Sequence, residues 1–404
     1  MLRTLSLLIL VSSSFSYASD LEALEKKLID NNPSLQSFKL EQSAKESEAS
    51  AATGRFLPDV FLTGGYEDFK VIDEPEQGYV GYITGAWNLF QGGKDAYRKS
   101  IATEEAEIAN LNLEIERRSL TYKVRSLYYQ ILANKKILKI YESKLGLLQS
   151  QRQMAQKKVN AGLTSGVDAI EIDIEENTLK SQRELLENEI IQSIADLKSV
   201  LNSEVSSEHI SVAENFPQGT LHIAPEKAIE GNPALKKQTL RESVAANERS
   251  IQRSDFVPRL DLEASYGRIT PAYQDPWSGN ESKVALLLRW NIFTGLSNYH
   301  DLKASKARAE SSTQEKTAVA LNIKSQLENL LTKQKELSNL KGLFQQRLGL
   351  TKKYYEMTLA EYKRGVKNSA DLDGATTSYY ENQRRLIELE RDLTLVVEKI
   401  KELI

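Results

Sequence analysis

The sequence predicts a mainly α protein with a smaller β part: a strand hairpin that occurs twice, each copy continued by very long coiled-coil helices. Three observations lead there. All nine prolines fall within 33–75 or 217–276, which leaves 77–216 and 277–404 without proline. Those stretches are rich in Leu, Glu, Lys, Ala, Gln and Arg, the composition of helix. Short segments of period-two alternation separate them. Finally, WNLFQGGK at 87–94 returns as WNIFTGLS at 290–297, an offset of 203 residues.

The chain opens on a secretory signal pattern over residues 1–18: Arg3, the apolar run LSLLILV, then Ser16-Tyr17-Ala18. The apolar run is well short of the roughly 20 residues that span a bilayer, which argues for a cleaved signal rather than an anchor. No later stretch is apolar enough for a transmembrane helix. Without Arg3 the chain carries 52 basic and 56 acidic residues, a balance of −4. No basic face dominates, so no nucleic-acid partner is expected. The absence of cysteine excludes a disulfide framework, thiolate chemistry and a lipidated residue after the signal.

A helix from about Lys94 to Asn160 would be on the order of 100 Å long. Val124, Leu127, Ile131, Leu138, Tyr141, Leu145 and Leu148 step along it as a coiled-coil seam, which predicts an elongated chain. Strand signals lie between the helices. From Arg259 to Tyr266, Leu260, Leu262, Ala264 and Tyr266 face one side and Arg259, Asp261, Glu263 and Ser265 the other. Val284, Leu286, Leu288 and Trp290 form a second apolar face, with Lys283 and Arg289 pointing away. The matching pair in the first half, about 58–69 and 78–89, alternates less cleanly. Trp87, Trp277 and Trp290 lie in or beside these strands.

The repeat extends well beyond the octapeptide. Asn32-Pro33-Ser34-Leu35 returns as Asn232-Pro233-Ala234-Leu235, and Phe56-Leu57-Pro58 as Phe256-Val257-Pro258, both at an offset of 200. The expected domains are therefore a signal at 1–18, a first repeat at 19–201 with its hairpin at about 58–89, a linker at 202–224, and a second repeat at 225–404 with its hairpin at about 258–290.

Strands of about ten residues with aromatic ends and one polar face suit an outer-membrane barrel. Four strands cannot close a barrel and would leave open edges in lipid. Three copies would supply twelve strands, with the long helices continuing as a tube. On this reading the tryptophans sit at the membrane interface, and the glycines of the repeated octapeptide allow the sharp turn from strand into helix.

Taken in order and in duplicate, several segments resemble the TolC family of outer-membrane efflux and secretion channels. They are the two Asn-Pro-x-Leu motifs, the Leu57-Pro58 and Val257-Pro258 strand starts, the Leu89-Phe90-Gln91-Gly92-Gly93 turn, and Asp371 to Thr377. The resemblance covers essentially the whole mature chain. It implies a homotrimer with a twelve-stranded barrel in the outer membrane and an α-helical barrel across the periplasm. Such a duct passively conducts substrates from an inner-membrane pump and a periplasmic adaptor, as the exit of a tripartite efflux or type I secretion system.

The resemblance also assigns residues. Gly162 and Leu163, with Gly365 and Val366, match the turns that receive the adaptor's hairpin. Asp168, Tyr362 and Lys367 match the links that close the periplasmic gate. Lysine in place of the family's arginine loses the bidentate fork. Asp371 matches the first acidic ring of the tube, where three copies would attract cations. The second ring position falls on Gly374, with Asp373 beside it.

Other functions lack the residues they need. Gly92-Gly93-Lys94 has Asp95 where a phosphate loop needs Ser or Thr. His209, His222 and His300 show no metal spacing. No catalytic, cofactor or metal site is therefore expected. The rival readings are a periplasmic coiled-coil adaptor, which would need one helical hairpin and compact β-domains, and a soluble dimeric scaffold.

Overall fold

The computed structural model describes residues 20–71, 74–162, 166–206, 210, 215–217, 219–271 and 280–404. The signal segment, Leu163 and Trp277 lie outside the described residues. Along the chain run helices α1 (Asp20–Asn31) and α2 (Pro33–Gly54), strands β1 (Asp59–Val71) and β2 (Glu74–Phe90), and helices α3 (Lys94–Asn160) and α4 (Val167–Leu201). Then come α5 (Pro225–Gly231), α6 (Pro233–Ser254), β3 (Arg259–Pro271), β4 (Asn280–Arg289), α7 (Ser297–Lys363) and α8 (Ser369–Leu403). Corresponding helices have equal lengths: 22 residues in α2 and α6, 67 in α3 and α7, 35 in α4 and α8.

The first hairpin is longer than the sequence predicts, with 13 residues in β1 and 17 in β2. Its antiparallel ladder runs on to Val71 opposite Glu74, through Pro75 and Gly78, which carry turn chemistry in the sequence. Backbone pairing there outlasts the side-chain alternation that marks a strand in sequence.

The chain divides into two structural units. One contains residues 1–33, 117–222 and 329–402, and its described elements are helices. In it Leu145, Leu148 and Ala155 of α3 pack with Ile172 and Leu179 of α4. Leu337 of α7 packs with Leu389 and Leu393 of α8, flanked by Leu340 and Phe344. The predicted seam is buried at Val124, Ile131, Leu145 and Leu148, but Tyr128, Leu132 and Ile137 join it while Leu127 and Leu138 stay half-buried. The reason is that α3 has a second neighbour. Gln151 of α3 donates to Thr376 of α8 at 3.5 Å, and Arg125 donates to Glu398 of α8 and, at 2.6 Å, to Glu25 of α1. Two neighbours bury a wider arc than a two-helix seam does.

The other unit contains residues 34–116, 223–328 and 403–404. Here the Asn-Pro-x-Leu motif shows its local role. Asn232 Oδ1 accepts from the backbone N–H of Ala234 at 2.8 Å and Leu235 at 3.2 Å, capping α6, and Pro233 takes the first helical position. Its Nδ2 donates to the carbonyl of Leu403. In the helical unit, Asn32 Nδ2 donates to the carbonyl of Val200 at 2.7 Å. The four strands form one antiparallel sheet in the order β1-β2-β3-β4, so β1 and β4 are its edges.

Candidate functional site

Period-two alternation divides the sheet into two chemically distinct faces. The register sets Leu62 beside Ile83, Tyr66 beside Tyr79, Ile83 beside Tyr266, Trp87 beside Leu262, and Leu262 beside Leu286. These side chains share one face with Val60, Val284 and Leu288, and most are exposed in the single chain. On the opposite face the rows join Thr63 to Tyr82, Thr84 to Ser265, Ser265 to Lys283, and Arg259 to Arg289. Asp261 shares that polar face and lies 3.2 Å from Arg259 Nε.

Aromatic rings mark the two ends of the apolar face. Tyr66 and Tyr79 meet edge to face at 5.3 Å. At the helix end, Trp87 Nε1 donates to the carbonyl of Phe56 at 2.9 Å and Trp290 Nε1 to that of Phe256 at 3.2 Å. Each indole is thus fixed at a strand exit, with its N–H satisfied and its ring exposed. From Trp87 to Tyr79 the strand covers roughly 26 Å at 3.3 Å per residue. Tilted by about 40°, a strand of that length rises roughly 20 Å, most of the apolar band of an outer-membrane barrel, about 25 Å tall.

The helix-to-helix turns belong to the helical unit. At the end of α7, Gly365 takes a left-handed φ of 77°. Its N–H donates to Tyr362 O at 3.1 Å and that of Val366 to Glu361 O at 3.0 Å, the paired bonds that end a helix on glycine. Val366 then points into solvent, 70 % exposed. The turn after α3 is similar: Gly162 has φ 70°, and its N–H donates to Val159 O at 2.9 Å.

Of the expected gate residues, Lys367 and Asp371 stand together, Nζ to Oδ2 at 3.8 Å. Asp371 also serves the start of α8. Its N–H donates to Asn368 Oδ1 at 2.8 Å, and its Oδ2 accepts from the Asn368 N–H at 3.4 Å, a reciprocal cap. Tyr362 is buried, with Lys158 Nζ 3.8 Å above its ring. Asp168 lies in the first turn of α4, and its side chain is outside the described residues.

Sequence reasoning missed what surrounds Tyr362. A cavity of about 370 Å³ is lined by Ile172, Glu171 and Glu175 of α4, Tyr362 of α7, and Leu372 and Asp373 of α8. Partial desolvation, followed by the nearby Glu175, holds the Asp373 carboxyl above its ordinary value, while Lys144 opposes the shift. Glu171 and Glu175 share a helix face at i,i+4, but nothing in the sequence brings that face to Asp373 on another helix. Among the described residues, no group of three His, Cys, Asp or Glu side chains is placed to hold a metal ion, and no helix is long and apolar enough to cross a membrane.

Comparison with known proteins places this geometry. The chain is 19% identical over 407 residues to the outer membrane protein TolC of Vibrio cholerae, covering 97% of this chain and 92% of that one. Its fold superposes on a membrane protein from Pseudomonas aeruginosa with a TM-score of 0.85 at 18% identity, covering 95% and 90% of the two chains. It superposes on the outer membrane protein VceC of Vibrio cholerae with a TM-score of 0.83 at 15% identity, covering 95% of each. Likeness over the full length to such proteins does not favour the adaptor reading. The outer membrane efflux protein family model matches residues 24–203 and again 224–404. The apolar-faced sheet and the long paired helices are thus those of a channel, and the chain belongs to the outer membrane efflux protein family.

Proposed function

We propose that three copies of the chain close their sheets into a twelve-stranded barrel in the outer membrane, with the helices continuing as a tube across the periplasm. The duct passively passes substrates that an inner-membrane pump and a periplasmic adaptor deliver. One observation carries the reading: a sheet with an apolar, aromatic-ended face, a polar face, and two open edges at β1 and β4. In hydrocarbon each unsatisfied backbone group costs several kcal/mol, so the edges must pair with those of further copies. Exposed apolar stripes on α4 (Val167, Ile170, Ile174) and α7 (Leu343, Leu350, Met357) offer matching helical contacts between copies.

Within this reading the two halves are structural repeats joined by residues 202–224, and Trp87, Trp277 and Trp290 lie at the membrane interface. Gly162, Leu163, Gly365 and Val366 form the adaptor-docking tips. Asp168, Tyr362, Lys367 and Asp371 form the periplasmic gate. Residues 1–18 direct export and are removed, and no cysteine follows to accept a lipid.

Single-channel recording in a planar bilayer, with the mass measured in detergent, tests the proposal. Small cation-selective currents from a trimer are expected, and Asp371→Asn lowers the cation preference. A soluble dimer that carries no current would replace the channel with a scaffold.

A further inference from the structure

The two hairpin exits share a backbone but differ in what they rest on. Between β2 and α3, Gly92 and Gly93 take left-handed φ values of 63° and 83°; between β4 and α7, Gly295 and Leu296 take 66° and 68°. The first exit is seated on the end of α6. Ser254 Oγ donates to the carbonyl of Gly92 at 2.7 Å, and a Cβ on Gly92 would stand 3.0 Å from that of Ser254. Lys94, the first residue of α3, pairs with Asp255. Further along, Ser243 of α6 donates to Glu104 of α3 at 2.6 Å, and Asn247 to Ser100 at 3.2 Å.

The second exit is bare. Nothing lies within 4 Å of a Cβ built on Gly295, and Ile292 and Phe293 are 86% and 79% exposed. The corresponding seat is bare too. By the 200-residue offset, the end of α2 is the counterpart of the end of α6. Gly54 stands for Ser254 with nothing within 4 Å of its Cβ position, and Arg55 stands exposed where Asp255 does.

We infer that the second exit of one copy docks on the end of α2 of the next, as the first exit docks on α6 of its own chain, with Asp301 of one copy paired to Arg55 of its neighbour. The inference rests on the trimer proposed above and supplies its contact. Charge complementarity selects the occupant. Asp301 lies one turn into α7 from Ser297, on the face that Lys94 occupies in α3. Among the described residues neither Arg55 nor Asp301 has an ion-pair partner.

The polarity is reversed between the two junctions: Lys94 meets Asp255 within a chain, and Asp301 meets Arg55 across copies. An exchanged arrangement would set Lys94 against Arg55 and Asp301 against Asp255. Like charges thus exclude the wrong seat as opposite charges fill the right one, and first and second hairpins alternate around the barrel.

Because the chain has no cysteine, crosslinking reads this contact without background. In the full-length protein in detergent, Arg55→Cys with Asp301→Cys is expected to give a covalent trimer with a short bis-maleimide, whereas Asp255→Cys with Asp301→Cys gives none. Arg55→Asp and Asp301→Arg, made singly, each lower the trimer yield about tenfold, and together they restore it. A trimer by mass that neither crosslinks at 55 and 301 nor shows rescue overturns the docking while leaving the trimer intact. A monomeric or dimeric mass overturns the trimer itself.

Discussion

Helices α3 and α7 have the same length and corresponding places in the two halves, and each buries an apolar seam, but α7 carries in addition an apolar stripe that stays uncovered. In α3, Val124, Tyr128, Ile131 and Leu132 are between 0 and 1% exposed. In α7, Leu343, Leu350, Tyr354 and Met357 step by seven, four and three along one stripe, and all are more than half exposed. A similar contrast separates α8, whose Leu372, Leu389 and Ile400 are buried, from α4, whose Ile170 and Ile174 are exposed. The period is the same in each case. What differs is whether a helix of the same chain covers the stripe, and the uncovered stripes are where a second copy is expected.

The largest effect should come from charging an uncovered stripe. Leu350→Glu with Met357→Glu is expected to cut the trimer fraction by roughly a hundredfold or more, because burying unpaired carboxylates is prohibitive. Analytical ultracentrifugation in detergent reads the mass, and circular dichroism checks that the chain stays helical. A trimer that survives would mean that the α7 stripe is not an interface.

A covered position should behave differently. In that charged background Leu389→Ala is expected to lower stability by about 2–5 kcal/mol, through lost burial and the cavity left behind. Urea unfolding measures it; a change well under 1 kcal/mol would show that α7 and α8 do not pack as described.

Smaller again is the backbone effect at the tips. Gly365→Ala forces a left-handed residue and is expected to cost about 1–2 kcal/mol, whereas Gly166→Ala, at φ −66°, costs none of this. Equal unfolding midpoints for the two variants would contradict the assigned turn.

The smallest effect is the pH dependence of Asp373, which faces Glu175, Glu171 and Lys144. Its carboxyl titrates above the ordinary 3.8, so the folded chain holds the proton more tightly than the unfolded chain. Stability from this group therefore rises as pH falls from the raised value toward 3.8 and is absent at neutral pH. Asp373→Asn should flatten that segment of a thermal-unfolding profile between pH 7 and 4. An unchanged profile would show that the desolvation is too slight to matter.

Much of the fold was legible because its signals are local. Proline-free runs of helix-forming residues marked α3, α4, α7 and α8, and the alternation from Arg259 to Tyr266 and from Val284 to Leu288 assigned both faces of β3 and β4. The first hairpin was less legible, since Pro75 and Gly78 look like turn residues and only pairing with a neighbouring strand keeps them extended. The site was harder still. Lys367 and Asp371 are four apart on one helix start, so their approach follows from sequence, whereas Lys158 reaches Tyr362 only because two distant helix ends meet.

By itself the sequence determined the order of elements, the repeated strand-to-helix turns with their glycines, and the two chemistries of the sheet. Each depends on backbone preference or on a period of two or 3.6 residues, and those act over a few neighbouring positions. Only the tertiary structure decided which apolar stripe is covered, that Asp373 faces Glu175, and that Gly92 is seated while Gly295 is bare. Burial and ion pairing are properties of two surfaces brought together, and the second surface lies as many as two hundred residues away.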